Sequence, residues 1–97
     1  MRETGMAEQV EAAVTIVNRR GLHARASAKF VSAVAQMEGS EVRVSKDGGS
    51  AAGGSILGLM MLGAAMGDRI TISADGKDAA VVVDAMVKLV EDRFGED

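Results

Sequence analysis

Cysteine, proline, tryptophan and tyrosine are absent from the 97-residue chain, which holds a single histidine and two phenylalanines. Without cysteine there is no disulfide framework, thiolate metal site or cysteine nucleophile, and one histidine excludes a multi-histidine metal site. A reducing, cytoplasmic location fits, and neither a metal nor another cofactor is expected. An aromatic content of 2% and a net charge of −3 remove base stacking and phosphate neutralisation, so nucleic acid is not an expected partner. Long hydrophobic runs are lacking too. Gly48 to Gly67 carries no charge over 20 residues, but seven of these are glycine. Its apolar part, Ile56 to Met66, is broken by Gly58 and Gly63 and falls short of the ~18 apolar residues that a membrane span needs. Residues 1–12 carry Glu3, Glu8 and Glu11 and no apolar stretch, so they read as a polar, mobile extension, not a secretory signal.

What remains, residues 13–97, is enough for one small domain. The β-branched run Val14-Thr15-Ile16-Val17 predicts a first strand over 13–17, ended by Asn18-Arg19-Arg20-Gly21. Ala24, Ala28, Val31 and Ala35 recur at helical spacing, with Phe30, Val34 and Met37 widening the stripe, which predicts a helix over 24–37 and a stop at Gly39. Glu41 to Ser45 alternates with period two and meets Asp47-Gly48, a tight-turn pair, so a hairpin into 50–52 follows. Ser55 stands as an N-cap before a short helix over 56–62 that Gly63 ends. Arg69 to Ser73 forms a fourth strand. Val82, Met86, Leu89 or Val90, and Phe94 mark one face of a last helix, with Asp78 near its start and Arg93 near its end as the helix dipole prefers. The order β-α-β-β-α-β-α with amphipathic strands predicts an α+β open-faced sandwich: a four-stranded antiparallel sheet with three helices on one face.

Two places stand out chemically. His23 follows Gly21-Leu22 where the first helix begins, and Arg25 lies two residues on. A helix start offers unpaired N–H groups and a positive dipole end, and a guanidinium adds a fork of donors, so a dianion beside the imidazole would be held from several sides. Position alone also fits a polar helix-start residue and a solvated arginine. In the second place, Ile56, Leu57, Leu59, Met60, Met61 and Leu62 point all round a helix that can bury only one face. Leu59 and Leu62 suit a core, whereas exposed methionine and leucine suit an adaptable docking surface. Ser55 reads on its own as a helix cap. The nearby glycines lack the Gly-Lys-Ser/Thr of a nucleotide loop.

Gly21-Leu22-His23-Ala24-Arg25 closely resembles the active-site motif of the HPr family, histidine-containing phosphocarriers of the bacterial phosphoenolpyruvate-dependent phosphotransferase system. Gly54 to Leu62 is similar to that family's regulatory serine segment, at the expected distance downstream, and the element order is the family's own. The resemblance implies that His23 accepts a phosphoryl group on Nδ1 from phosphorylated enzyme I and passes it to an EIIA domain. By the same resemblance Arg25 steadies the phosphoryl group, and Ser55 is a target of HPr kinase/phosphorylase in bacteria that possess one. Ile56, Leu57, Met60 and Met61 are the expected docking anchors of a monomeric carrier. The family usually has proline after the arginine; Ala26 stands there and is expected to loosen the first helical turn. The alternative from another class is a non-phosphorylated regulatory or small-ligand binding module on the same fold.

Overall fold

The computed structural model describes residues 8–96. Four strands, β1 (Glu8–Thr15), β2 (Ser40–Lys46), β3 (Gly49–Ala52) and β4 (Arg69–Gly76), form one antiparallel sheet in the order β1-β4-β2-β3. Three helices, α1 (Ala24–Ala35), α2 (Ile56–Met61) and α3 (Ala79–Glu91), complete the predicted β-α-β-β-α-β-α order, and a 3-10 turn covers Arg93–Gly95. Period-two alternation builds the core. Val14, Ile70, Ile72, Ala74, Val42 and Val44 are buried, while Glu11, Glu41 and Arg43 on the opposite face are exposed. Register puts Val14 opposite Ile70, and Ile72 between Ala12 and Val44, so the central strand β4 carries apolar partners on both sides.

The helices cover that apolar face. α3 contributes Ala79, Val82, Val83, Met86 and Val90, α1 contributes Ala26 and Phe30, and α2 contributes Leu59 alone. Both phenylalanines lie in the core, Phe30 at 0% and Phe94 at 1% exposure. Asp47 (φ 50°) and Gly48 (φ 85°) both adopt the left-handed region that the predicted hairpin turn needs.

Several boundaries differ from the sequence-based expectation. β1 begins at Glu8, so residues 8–12 of the expected polar extension belong to the sheet, where they pair with Ile72–Gly76. The reason is the length of β4, which runs to Gly76 and offers backbone partners to residues that, Val10 apart, are poor strand formers. The remainder of the expected extension, residues 1–7, lies outside the described residues. α1 ends at Ala35 with Gln36 as its C-cap, and Gly39 (φ 95°) sits in the following turn instead of stopping the helix. Phe94 is buried as expected, but not by α3. The helix ends at Glu91, and Phe94 turns back into the core through consecutive left-handed residues, Arg93 at φ 59° and Phe94 at φ 54°.

The loop between β1 and α1 is fixed by close backbone approach. Gly21 has φ 64°, and a Cβ there would lie 2.3 Å from the Ala64 carbonyl oxygen, which accepts the Leu22 N–H at 3.0 Å. Gly21→Ala therefore combines a conformational cost with a backbone clash. Gly63→Ala, at φ 68° with open space around it, carries only the conformational cost of about 1–2 kcal/mol. Denaturant unfolding is expected to show Gly21→Ala as the more destabilising of the two by at least ~1 kcal/mol. Equal losses would mean that the approach to Ala64 is slack.

Candidate functional site

His23 occupies the N-cap position of α1 in an extended conformation (φ −75°, ψ −178°) and makes no side-chain cap. Serine, threonine, aspartate or asparagine normally fills this position and satisfies a first-turn N–H. Here the Ser27 N–H closes the first turn on the His23 carbonyl at 2.9 Å, and among the described residues no acceptor meets the N–H groups of Ala24, Arg25 or Ala26. Ala26 is wholly buried, and the Ser27 hydroxyl donates to the Leu22 carbonyl at 3.2 Å, tying helix to loop. The helix start is thus formed, and its donors are free to meet an anion.

An open cleft of about 530 Å3 surrounds the His23 ring, lined by Arg19, Arg20, Arg25, Lys29, Gly95 and Glu96. Among the described residues four cations and one carboxylate meet there. The ring is one-fifth exposed, and its Nε2 lies 2.5 Å from Glu96 Oε2. The other oxygen of Glu96 accepts from the Asn18 amide at 3.1 Å, and the same amide nitrogen donates to the Gly21 carbonyl at 2.9 Å. Lys29 donates to the Phe94 carbonyl at 2.7 Å and so holds the C-terminal turn against α1. Burial on its own would raise the Glu96 carboxyl. The hydrogen bonds from Asn18 and His23, with the charges of His23 and Lys29, outweigh it and hold the group below its ordinary value.

His23 and Arg25 therefore share one cleft, as the sequence reading expected. Arg19, Arg20, Lys29, Asn18 and Glu96 were not singled out by that reading. The Arg-Arg pair directly before Gly21 was a visible signal, whereas Glu96 sits in a charged C-terminal segment with nothing to distinguish it.

At the second place the exposed face is explicit. Ile56, Leu57, Met60 and Met61 are 41%, 67%, 40% and 77% exposed, whereas Leu59 is at 0% and Leu62 is half-buried. Ser55 caps α2, its hydroxyl oxygen accepting the Gly58 N–H at 2.9 Å. The chain leaves α2 through Leu62 to Ala64, where it pairs with the loop before His23.

This geometry can be set beside known proteins. The family model described as "PTS HPr component phosphorylation site" matches residues 10–92. The chain belongs to the HPr family. It is 43% identical to the phosphocarrier protein HPr of Cupriavidus necator over 82 residues, covering 84% of this chain and 91% of that protein. It is 38% identical to the phosphocarrier protein NPr of Shewanella violacea, covering 91% and 96%. The crystal structure of HPr-C-His from Thermoanaerobacter tengcongensis superposes with a TM-score of 0.84 at 38% identity, covering 91% of this chain and 98% of that one. As an HPr-family protein the chain is a phosphocarrier of the phosphotransferase system and a carrier, not a catalyst. Among the described residues no helix is long and apolar enough to cross a membrane.

The Glu96 carboxyl is held low in the folded chain, so it stabilises the fold above the ordinary carboxyl range and ceases to do so as pH falls through its folded value. Glu96→Gln is expected to be less stable than the wild-type chain at pH 7 by no more than about 1 kcal/mol. That difference should close in acid. Urea unfolding at neutral and acidic pH measures it, and a difference independent of pH would show that the carboxylate charge has no part in the contact.

Proposed function

We propose that the chain accepts a phosphoryl group from phosphorylated enzyme I on Nδ1 of His23 and hands it to an EIIA domain, in sugar uptake or in the nitrogen-related branch of the system. The observation that carries this reading is the uncapped helix start at His23 facing a cleft lined by Arg19, Arg20, Arg25 and Lys29. A dianion there meets helix N–H groups and guanidinium forks, and the imidazole supplies the nucleophile. On loading, the Nδ1 lone pair forms the N–P bond while the donor's bond to phosphorus breaks and the donor keeps that electron pair; on hand-off the acceptor's lone pair forms the new bond to phosphorus and the N–P pair returns to Nδ1. Arg25 steadies the phosphoryl group. The protein works in the cytoplasm as a monomer, without cofactor or metal. A binding module on the same fold would not need a nucleophile in so basic a cleft.

Ile56, Leu57, Met60 and Met61 form the surface that docks both partners, because a few exposed apolar anchors often dominate such interfaces. Ser55 keeps two roles that do not conflict. Its oxygen caps α2, and in bacteria with an HPr kinase/phosphorylase it is a negative switch. Phosphorylation adds about −1.5 to −2 charges at the positive end of a helix, which the fold tolerates, while a partner approaching the apolar anchors would have to desolvate that charge.

Incubation with phosphoenolpyruvate and enzyme I is expected to add one acid-labile, base-stable phosphoryl group by intact mass, absent in His23→Ala. Undiminished labelling of that variant would sink the assignment. Arg25→Ala should slow transfer roughly 10- to 100-fold, the loss of one charge-assisted hydrogen bond, with melting unchanged.

Leu57→Lys and Ser55→Asp should raise KM for enzyme I several-fold while circular dichroism and melting stay close to wild type, since surface changes shift stability within about 0.5 kcal/mol. Ser55→Ala should transfer normally, resist the kinase and lose a cap contribution of roughly 0.5–2 kcal/mol. Wild-type KM in both charged variants would return α2 to a purely structural role.

A further inference from the structure

Glu96 has no part in binding or moving the phosphoryl group in the carrier reading, yet it is fixed from two sides. Asn18, wholly buried, donates one N–H to Glu96 and another to the Gly21 carbonyl, and both acceptors are oxygens, so the amide cannot be turned over. Among the described residues its own oxygen has no hydrogen-bond partner. A buried amide left half-satisfied is costly, which marks the two N–H donors as what the position is for. The C-terminal turn is equally built. Arg93, Phe94 and Gly95 are left-handed in succession, Phe94 is anchored in the core, and the Lys29 ammonium grips its carbonyl. All of this delivers one carboxylate to one ring nitrogen.

Resting on the carrier reading, we propose that Glu96, held by Asn18, is a positioning residue that keeps a proton on Nε2 of His23 throughout the transfer cycle. An ionised carboxylate only accepts hydrogen bonds, so the nitrogen beside it carries the hydrogen and the lone pair of the neutral ring lies on Nδ1. Among the described residues Nδ1 has no hydrogen-bond partner. When Nδ1 bonds to phosphorus the donor keeps the electron pair of the broken bond, and the ring becomes a cation. Among the described residues the groups that face it are Arg19, Arg20, Arg25 and Lys29, all cations, and Glu96 is the carboxylate of the cleft that can balance the new charge. On the outward step the N–P electron pair returns to Nδ1 and the ring leaves neutral, still protonated at Nε2. Had Nε2 lost its proton, the leaving group would be an imidazolate anion, far poorer. No proton has to enter or leave the ring in either direction.

Two measurements on the full chain test this. The first needs no phosphorylation: 15N NMR of His23 at about pH 9, where a histidine ring is neutral, should show N–H character at Nε2 and a slowly exchanging proton that is lost or exchanges rapidly in Glu96→Ala. An Nδ1–H ring in the wild-type chain, or an Nε2 proton unaltered in Glu96→Ala, overturns the proposal. The second follows loss of the phosphoryl group from the loaded chain by intact mass across pH. The fall in rate as the phosphorylated ring loses its proton should come about one pH unit earlier in Glu96→Gln than in the wild-type chain, a tenfold change in proton affinity. A purely structural Glu96 would alter melting and leave the two pH profiles superposed, which overturns the proposal as well. If enzyme I fails to load the wild-type chain at all, the carrier reading falls, and the NMR measurement still decides where the proton lies.

Discussion

The buried amide of Asn18 joins two segments that the chain separates by 78 residues, and the cleft exists because of that junction. One N–H holds the Gly21 carbonyl, and with it the left-handed residue from which Leu22 and His23 emerge; the other holds the carboxylate of Glu96. An apolar side chain of similar size would fill the same space, but it would leave the Gly21 carbonyl without this donor and free the C-terminal turn. The loop is pinned from its far side as well, by the Leu22 N–H on the Ala64 carbonyl and by the hydroxyl of Ser27 on Leu22. His23 therefore stands on a rigid support while its own ring remains partly exposed. On the proposed transfer role, in which His23 meets two different partners, such holding is an advantage, because positions fixed before the encounter do not have to be ordered during it.

The one-sided sheet explains why an apolar ridge lies close to this cleft. Four short strands bury a single face, which α3 covers over β1 and β4, while α1 packs against α3 and α2 and adds Ala26 and Phe30 to the core. α2, only six residues long, is left to cover the β3 side, where one inward leucine suffices. A helix this short is marginal in isolation. It is held at its start by the Ser55 cap, in its middle by Leu59, and at its end by the segment that runs to Ala64 against the His23 loop. Ile56, Leu57, Met60 and Met61 take no part in those contacts to the same degree, so their exposure does not weaken the fold. Stability and surface chemistry are thereby separated on one helix.

The sequence carried the fold wherever local patterning and tertiary structure agree. Alternation marked β2, the Asp47-Gly48 pair marked the hairpin, helical spacing marked α1, and the excess of apolar residues on α2 implied the exposed ridge. It misled where long-range pairing overrides propensity. Gln9 and Glu11 alternate with Val10 and Ala12, but three acidic residues among the first dozen read as a tail until β4 supplies the partner strand. Phe94 fits helical spacing from Val90, and only the left-handed turn shows that it reaches the core by another route. The site divides in the same manner. His23 and Arg25 lie two residues apart and were legible together, whereas the Glu96 contact spans 73 residues and depends on a turn whose two non-glycine left-handed residues no local rule foretells.

The electrostatics of the cleft run against those of the whole chain. The protein is net negative by three charges, yet among the described residues four cationic side chains line the His23 cleft against a single carboxylate. At physiological salt, exposed charges separated by more than about 8 Å are largely screened, so an anion close to the ring feels the nearby guanidinium and ammonium groups far more than the distant acidic surface. The acidic remainder still matters at longer range and lower salt, where it disfavours polyanions such as nucleic acid that could otherwise occupy a basic cleft. A small dianion presented by a protein surface escapes that penalty, because only the phosphoryl group has to enter the cationic region. The same arrangement restrains the affinity for phosphate itself. Glu96 offsets part of the positive field, and a carrier that must release its cargo to the next protein requires a field strong enough to orient the phosphoryl group and too weak to retain it.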